Sequence, residues 1–198
     1  MPGIYTDGEF DLAGTIVGIV ERDLLITGSG IAPGDLVLGL ASTGLHTNGY
    51  SLARKICFEM LKLKPTDPVA SLNNSIGMEL LQPHRSYFNE LYPLIARKLL
   101  KGLAHITGGG FYDNIPRILP DGCGVVIQKN TWPMPPIFQL LQEAASIPDA
   151  ECYRVFNMGI GMVVICNPGN FQTIKTAVPE IHQIGEVIAG EKKVRILS

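Results

Sequence analysis

The residue types best suited to chemistry lie in short loops rich in glycine, histidine and asparagine. The first candidate is Thr107-Gly108-Gly109-Gly110, which follows an apolar segment and precedes a helical one. Glycines let the backbone approach a ligand closely and turn its N–H groups outward, and a helix start adds partial positive charge. Three consecutive glycines exceed what a tight turn needs, so the pattern favours a phosphate-binding loop over a plain turn.

A second loop, residues 44–49, also lies between a predicted strand and a predicted helix. His46 could donate a hydrogen bond to a phosphate or carry a proton near neutral pH, or it could be a solvated loop histidine. Thr47 or Asn48 is expected to cap the following helix by accepting a bond from a free N–H group of its first turn.

A third loop contains Asn157, Gly159 and Gly161. The two glycines, placed where a strand is expected, indicate a bulge or the close approach of another backbone. Asn157 alone would most often be a turn residue.

The other histidines and the cysteines predict structure rather than chemistry. His105 alternates with apolar residues, which is typical of a core histidine with satisfied nitrogens, and His84 follows Pro83 in what reads as a first helical turn. No metal site is predicted, because no metal-ligand spacing occurs among the cysteines. We expect them to be reduced and to pack as small apolar residues; they are Cys57, Cys123, Cys152 and Cys166.

Apolar periodicity supplies the elements that must position these loops. Helices are predicted over 49–61, from Pro83 onward, and over 111–119, 137–144 and 170–178. In the helix that begins at Pro83, Pro93 removes the hydrogen bond to the Asn89 carbonyl and should kink the helix. Strands are predicted over 15–20, 36–40, 103–106, 123–128, 151–156, 160–166, 184–188 and 194–197, the last two forming a terminal hairpin. The alternation predicts an α/β layered sandwich with a mixed sheet and helices packed on it.

Composition excludes several classes of protein. Of 198 residues, 46% are hydrophobic and 17% charged, which is unlike a disordered chain. With 16 Lys+Arg against 18 Asp+Glu, no basic excess exists to neutralise nucleic acid or an anionic membrane. The apolar runs are too short to span a bilayer, and the first residues do not form a signal peptide. We therefore expect no nucleic-acid or membrane partner.

The same loops carry a family resemblance. The sequence contains GDLVLGLASTGLHTNGYSLARKI at 34–56, KGLAHITGGGFYDNIPRILP at 101–120 and YRVFNMGIGMVV at 153–164. With MPGIYTDGEFDLAGTIVGIVER at 1–22, these stretches run in order across nearly the whole chain. The chain resembles the second half of the aminoimidazole ribonucleotide synthetase (phosphoribosylformylglycinamidine cyclo-ligase) family.

This resemblance implies a cytoplasmic, homodimeric enzyme of purine biosynthesis. The family's reaction uses ATP and Mg²⁺ to close the imidazole ring of formylglycinamidine ribonucleotide. Its N-terminal domain supplies much of the ATP site, and its C-terminal α/β domain closes the cleft over the small-molecule ribonucleotide. Residues 1–26 resemble the tail and last strand of that N-terminal domain, and 27–198 resemble the C-terminal domain. We therefore expect the chain to be inactive without the N-terminal half, its partner.

The resemblance also implies roles for individual residues. His46 would be the catalytic candidate, for proton transfer or for phosphate contact. The residues expected to contact substrate or phosphate beside it are Thr47, Asn48, Thr107, Gly108, Gly109, Gly110, Asn157 and Gly159.

Two alternatives remain open on the sequence. One is a non-catalytic binding or interaction module that associates through the apolar segment 15–20. The other is a relative of selenophosphate synthetase or thiamine-phosphate kinase. The stretch HITGGGF followed by NIPR favours the purine enzyme over these two.

Overall fold

A computed structural model describes residues 13–197 of the chain. Within this range eight strands and seven α-helices alternate, with short 3₁₀ turns between them. The strands are β1 Leu36–Ala41, β2 Pro68–Val69, β3 Asn74–Ser75, β4 Leu100–His105, β5 Cys123–Gln128, β6 Ile160–Cys166, β7 His182–Ala189 and β8 Val194–Leu197. The helices are α1 Tyr50–Arg54, α2 Ile76–Leu80, α3 Phe88–Ala96, α4 Gly110–Asn114, α5 Pro136–Ala145, α6 Asp149–Val155 and α7 Phe171–Ala177.

Six strands form one sheet in the order β4-β6-β1-β7-β5-β8. Every neighbouring pair is antiparallel except β5 and β8, which are parallel, so the sheet is mixed as predicted. The strands β2 and β3 pair separately as a short ribbon.

Helices cover both faces of this sheet. On one face the larger core cluster joins Val37 of β1 and Val163 of β6 to residues of α1, α2, α4, α5 and α6. On the other face Leu38 and Val164, the next residues along the same strands, pack with α3 and α7. Side chains alternate across a strand, so β1 and β6 are buried on both faces and read as continuous apolar runs. The predicted layered sandwich is confirmed.

Several predicted elements match closely. Strands β5 and β6 have the predicted bounds, and β1 extends one residue further than expected. The predicted helix at 49–61 is α1 continued by a π-helical segment, Lys55–Met60. Pro93 lies inside α3, as expected. All four cysteines are buried, which confirms their assignment to the core.

Other predictions at the element level were wrong. Residues 13–20 carry no helix or strand, and the rest of the predicted N-terminal tail, 1–12, lies outside the described residues. The segment predicted as a strand at 151–156 belongs to helix α6, which has Asp149 and Glu151 in its first turn and Arg154 in its last. Charges so placed favour a helix through its macrodipole.

The helix predicted to begin at Pro83 begins instead at Phe88. The preceding residues are held by tertiary contacts: the Pro83 carbonyl accepts from Thr43 Oγ1 at 2.5 Å, and Tyr87 Oη donates to the Ala41 carbonyl at 2.9 Å. These bonds hold the segment across the end of β1 in a non-helical path.

The predicted terminal hairpin does not form, because β5 lies between β7 and β8. The connection after β7 crosses the start of β5, where the Lys193 carbonyl accepts from the Val125 N–H at 2.9 Å. Two strands joined by a short turn usually pair directly, but here both pair with the same third strand.

No helix among residues 13–197 is long and apolar enough to cross a bilayer.

Candidate functional site

The three loops selected from the sequence meet at one edge of the sheet. Strands β1 and β4 both run antiparallel to β6, which lies between them. They therefore run in the same direction, and their C-terminal ends adjoin the N-terminal end of β6. The loops after β1 and β4 and the turn before β6 consequently share this edge.

His46 is buried in the loop that follows β1. Only 3% of its surface is exposed, and its backbone is left-handed, with φ 58°. Its Nε2 accepts a hydrogen bond from the Thr43 N–H at 3.1 Å, so in the neutral ring the proton is on Nδ1. The ring packs on Gly161, where a Cβ would lie 2.6 Å from its Cε1 atom. The alternative of a solvated loop histidine is therefore wrong.

Two further histidines complete a cluster with His46. The His84 ring stacks on the His46 ring with centroids 4.0 Å apart and lies 5.1 Å from the His105 ring. One ligand nitrogen of each histidine lies within 4.8 Å of the others. His46 Nδ1 and His105 Nε2 are buried without a hydrogen-bond partner among the described residues. His105 is thus not the satisfied core histidine that alternation predicted, and His84 is not in a helix.

Burial disfavours the charged forms of His46 and His105. Desolvation lowers the pKa of His46 to about 4, with smaller contributions from the charges of His84, His105 and Arg85. Desolvation, followed by the charge of His84, also lowers the pKa of His105. At neutral pH His46 therefore presents an N–H group without a positive charge.

Arg85, the residue after His84, was not among the residues predicted from the sequence, and several hydrogen bonds hold its side chain. Its guanidinium donates to the Ala41 carbonyl at 3.2 Å and to Glu90 at 2.9 Å, and it also pairs with Glu180. Hydrogen bonds to these two carboxylates raise the pKa of Arg85 although its burial opposes this. Nothing in the local sequence indicated this network, because its members come from three separate segments.

The glycine loop is shaped by a buried side chain that sequence reasoning also missed. Asn114, at the end of α4, donates through Nδ2 to the carbonyls of Thr107, Gly108 and Gly110, at 3.2, 3.2 and 2.8 Å. The C=O and N–H groups of a trans peptide point in opposite directions. The N–H groups of Gly108 and Gly109 therefore point away from Asn114.

The glycine amides differ in their availability for a ligand. The Gly110 N–H already donates to the Thr107 carbonyl at 2.9 Å, and a side chain at Gly110, with φ 59°, would collide with the Tyr153 carbonyl. Within residues 13–197 the N–H groups of Gly108 and Gly109 have no protein acceptor. Two amides, not three, are thus free to bind an anion.

Asn48 joins the histidine loop to the glycine loop. Its Nδ2 donates to Thr107 Oγ1 at 2.5 Å, and its Oδ1 lies beside Gly108. The predicted cap of α1 by Thr47 or Asn48 was wrong, because Gly49 occupies that position without a side-chain bond. Thr47 is exposed beside this junction.

Asn157 and Gly159 lie in the turn before β6 and connect it to the loop that carries His46. The buried Asn157 amide accepts from Ser42 Oγ and from the Gly159 N–H, each at 2.9 Å, and donates to the Gly44 carbonyl at 2.8 Å. These bonds use both polar atoms of Asn157 and tie the turn before β6 to the loop after β1.

Replacing Asn114 tests how the glycine loop is held. Asn114→Asp should lower the free energy of unfolding by about 3 kcal/mol, because three carbonyls lose their donor and face a buried carboxylate. Asn170→Ala, which removes one bond to the Leu99 carbonyl, is the matched control and should cost about 1 kcal/mol. Urea denaturation of both variants measures the difference, and equal losses would contradict the bracing role.

Stability should fall in acid because of His46. Its pKa is 6.5 when unfolded and about 4 when folded, so the unfolded chain binds the proton more readily. The full contribution is present above pH 6.5 and is lost progressively as the pH falls towards about 4, in total about 3 kcal/mol. Denaturation over this range should show a flatter profile for His46→Gln than for wild type or for His182→Gln. If the free energy of unfolding of His46→Gln depends on pH as steeply as that of wild type, His46 is not the cause of the acid destabilisation.

Comparison with known proteins shows which family this chain is similar to. The family described as "AIR synthase related protein, C-terminal domain" matches residues 32–198. The phosphoribosylformylglycinamidine cyclo-ligase of Alkaliphilus oremlandii is 46% identical over 98% of this chain and 58% of its own length. That of Syntrophus aciditrophicus is 48% identical over 94% of this chain and 53% of its own length.

A solved structure supports the fold. Thiamine-monophosphate kinase from Stenotrophomonas maltophilia superposes with a TM-score of 0.60 at 14% identity, over 89% of this chain and 54% of that one. The chain spans about half the length of the curated relatives it matches. By the extent of the family match and the identity to these cyclo-ligases, the chain belongs to the AIR synthase-related family and corresponds to its C-terminal domain.

Proposed function

We propose that this chain is the substrate-side half of an ATP-dependent cyclo-ligase that converts formylglycinamidine ribonucleotide to aminoimidazole ribonucleotide. The observation that carries the proposal is the pair of Gly108 and Gly109 amides, turned outward by Asn114 beside Asn48. Paired N–H groups of this kind bind phosphate oxygens. Relatives that are 46% and 48% identical to this chain are named phosphoribosylformylglycinamidine cyclo-ligases.

The chemistry needs both an activated oxygen and a bound phosphate. A formamide oxygen leaves poorly, so its phosphorylation by ATP turns it into a leaving group, and the amidine-side nitrogen then closes the ring as phosphate departs. ATP and Mg²⁺ would be held mainly by an N-terminal domain outside this chain. The part proposed for this chain is to hold a phosphate by positioned donors, which stabilise charge where it develops.

His46 is proposed as a neutral hydrogen-bond donor in this reaction. With a pKa of about 4 it is not a cationic phosphate clamp at neutral pH, and it does not readily accept a proton there. Its buried Nδ1–H has no partner among the described residues. The sequence left two roles open for His46, proton transfer and phosphate contact, and this environment favours phosphate contact through an uncharged N–H group. A cytoplasmic location belongs to the same proposal.

A chimera tests the proposal. This chain would replace the matching C-terminal segment of the Alkaliphilus oremlandii relative, and MgATP-dependent formation of aminoimidazole ribonucleotide would be assayed. The chimera should be active, and Asn48→Ala should lower kcat/KM about 100-fold, because the donors of the two loops lose their alignment.

The control for this assay is Asn170→Ala, whose bond lies at the opposite end of β4. It should change kcat/KM less than about 3-fold, as expected for a surface-side structural bond. A folded chimera that is inactive with substrate and MgATP overturns the proposed function. Equal losses in the two variants overturn the role of Asn48.

A second candidate function, an interaction module, is favoured by one observation. Residues Ile16, Val17 and Ile19 are 97%, 89% and 101% exposed. Contiguous exposed apolar side chains mark association sites in soluble proteins. We propose that this segment adds to the sheet of an N-terminal domain or of a second copy of the chain, as part of a homodimer.

Charge substitution tests this association. Wild type should self-associate as its concentration rises, and Ile16→Asp with Ile19→Asp should stay monomeric, since buried carboxylates oppose pairing. Leu81→Asp, at a residue 75% exposed elsewhere on the surface, is the control and should behave as wild type. Sedimentation velocity measures the oligomeric state of each variant. A wild-type chain that stays monomeric at high concentration argues against an interaction module.

A further inference from the structure

We propose that His46, His84 and His105 form a binding site for a divalent transition-metal ion of the zinc class, such as Zn²⁺, Co²⁺ or Ni²⁺. The sequence analysis predicted no metal site, and the family comparisons name none. The inference can be tested without the proposed ligase function, because it concerns binding by this chain itself. An ion on His46 Nδ1 would occupy the atom proposed above as a donor to substrate, so the metal-bound and substrate-donating states of His46 exclude one another.

Two orphaned nitrogens carry the inference. His46 Nδ1 and His105 Nε2 are buried, yet neither has a hydrogen-bond partner among residues 13–197. A buried polar atom without a partner is costly, and a bound ion or water is one reason that such an atom persists. Both residues belong to the histidine cluster, in which one ring nitrogen of each of the three residues lies within 4.8 Å of the others.

The spacing is near that of a three-histidine site. Zinc–nitrogen bonds of about 2.0–2.1 Å place the ligand nitrogens of a tetrahedral site about 3.4 Å apart. The nitrogens must therefore approach by at most about 1.4 Å. The lone pairs of stacked rings lie in nearly parallel planes, so His84 must leave its stack on His46 before both can bind one ion. His84 is exposed, and a rotation of its side chain towards solvent would break this stack.

The donor set selects the metal. Three imidazoles without a carboxylate suit zinc, cobalt or nickel and do not suit Mg²⁺, which prefers oxygen ligands. The nearby cation Arg85 is paired with Glu90 and Glu180, which compensates its charge beside an incoming ion. Because His84 lies at the surface, the fourth position of the metal would be open to solvent or to an anionic ligand.

Binding at His46 has an identifiable structural consequence. In the metal-free ring Nε2 accepts the Thr43 N–H, so the hydrogen is on Nδ1. A metal at Nδ1 requires that hydrogen to move to Nε2, and the bond from Thr43 is then lost. The change of tautomer distinguishes coordination by the cluster from adsorption of metal elsewhere on the chain.

Zinc titration of the full chain tests the site. Calorimetry with Zn²⁺ should give one ion per chain, and an excess of Mg²⁺ should not displace it. His84→Ala, at an exposed position, should weaken binding at least about 100-fold, because even loss of outer partners of a metal site costs 10–100-fold. His105→Gln should do the same, and His182→Ala, outside the cluster, is the control and should bind as wild type.

Nitrogen NMR of the histidine rings supplies the second readout. On addition of zinc, His46 should change from the Nδ1–H to the Nε2–H tautomer in wild type and not in His84→Ala. Absence of zinc binding at micromolar concentrations overturns the inference. So does binding that survives His84→Ala and His105→Gln unchanged, or binding that leaves the His46 tautomer as it was.

Discussion

The arrangement of the candidate site depends on how β6 pairs with β1 on one side and with β4 on the other. Because β1 and β4 both run antiparallel to β6, their C-terminal ends lie side by side, and every loop of interest extends from that edge. The pairing is enforced by burial on both faces, since Val163, Val164 and Ile165 of β6 are each fully buried. A register slip of one residue would exchange the two core faces, so the position of the loops is strongly specified.

Polar side chains then lock the loops to one another across this edge. Asn157 joins the turn before β6 to the loop after β1, and Asn48 joins that loop to the glycine loop. Asn114 holds three carbonyls of the glycine loop inward. Each of these amides satisfies backbone groups that the turns leave without partners, which is why such a loop cluster can be ordered without regular secondary structure.

The electrostatic character of the site follows from the same burial. Desolvation lowers the pKa of His46 to about 4 and also lowers that of His105, and the free backbone amides of Gly108 and Gly109 carry no charge. The nearby cation Arg85 is paired with two carboxylates and donates to the backbone of β1. A ligand here would therefore be recognised by directed donors and acceptors, which act strongly in a desolvated setting.

Local sequence patterns were sufficient to predict the apolar runs that form β1, β5 and β6, the helix after residue 49, the glycine loop and the family. These follow from periodicity and from residue types that act within a few positions of one another. Other features became visible only in the folded chain: His84 and His105 lie beside His46, Asn114 holds the glycine loop, and β5 separates β7 from β8. Asn48 and Thr107 are 59 residues apart, and Asn157 and Gly44 are 113 apart. Contacts over such separations depend on the order of the strands, which local periodicity does not encode.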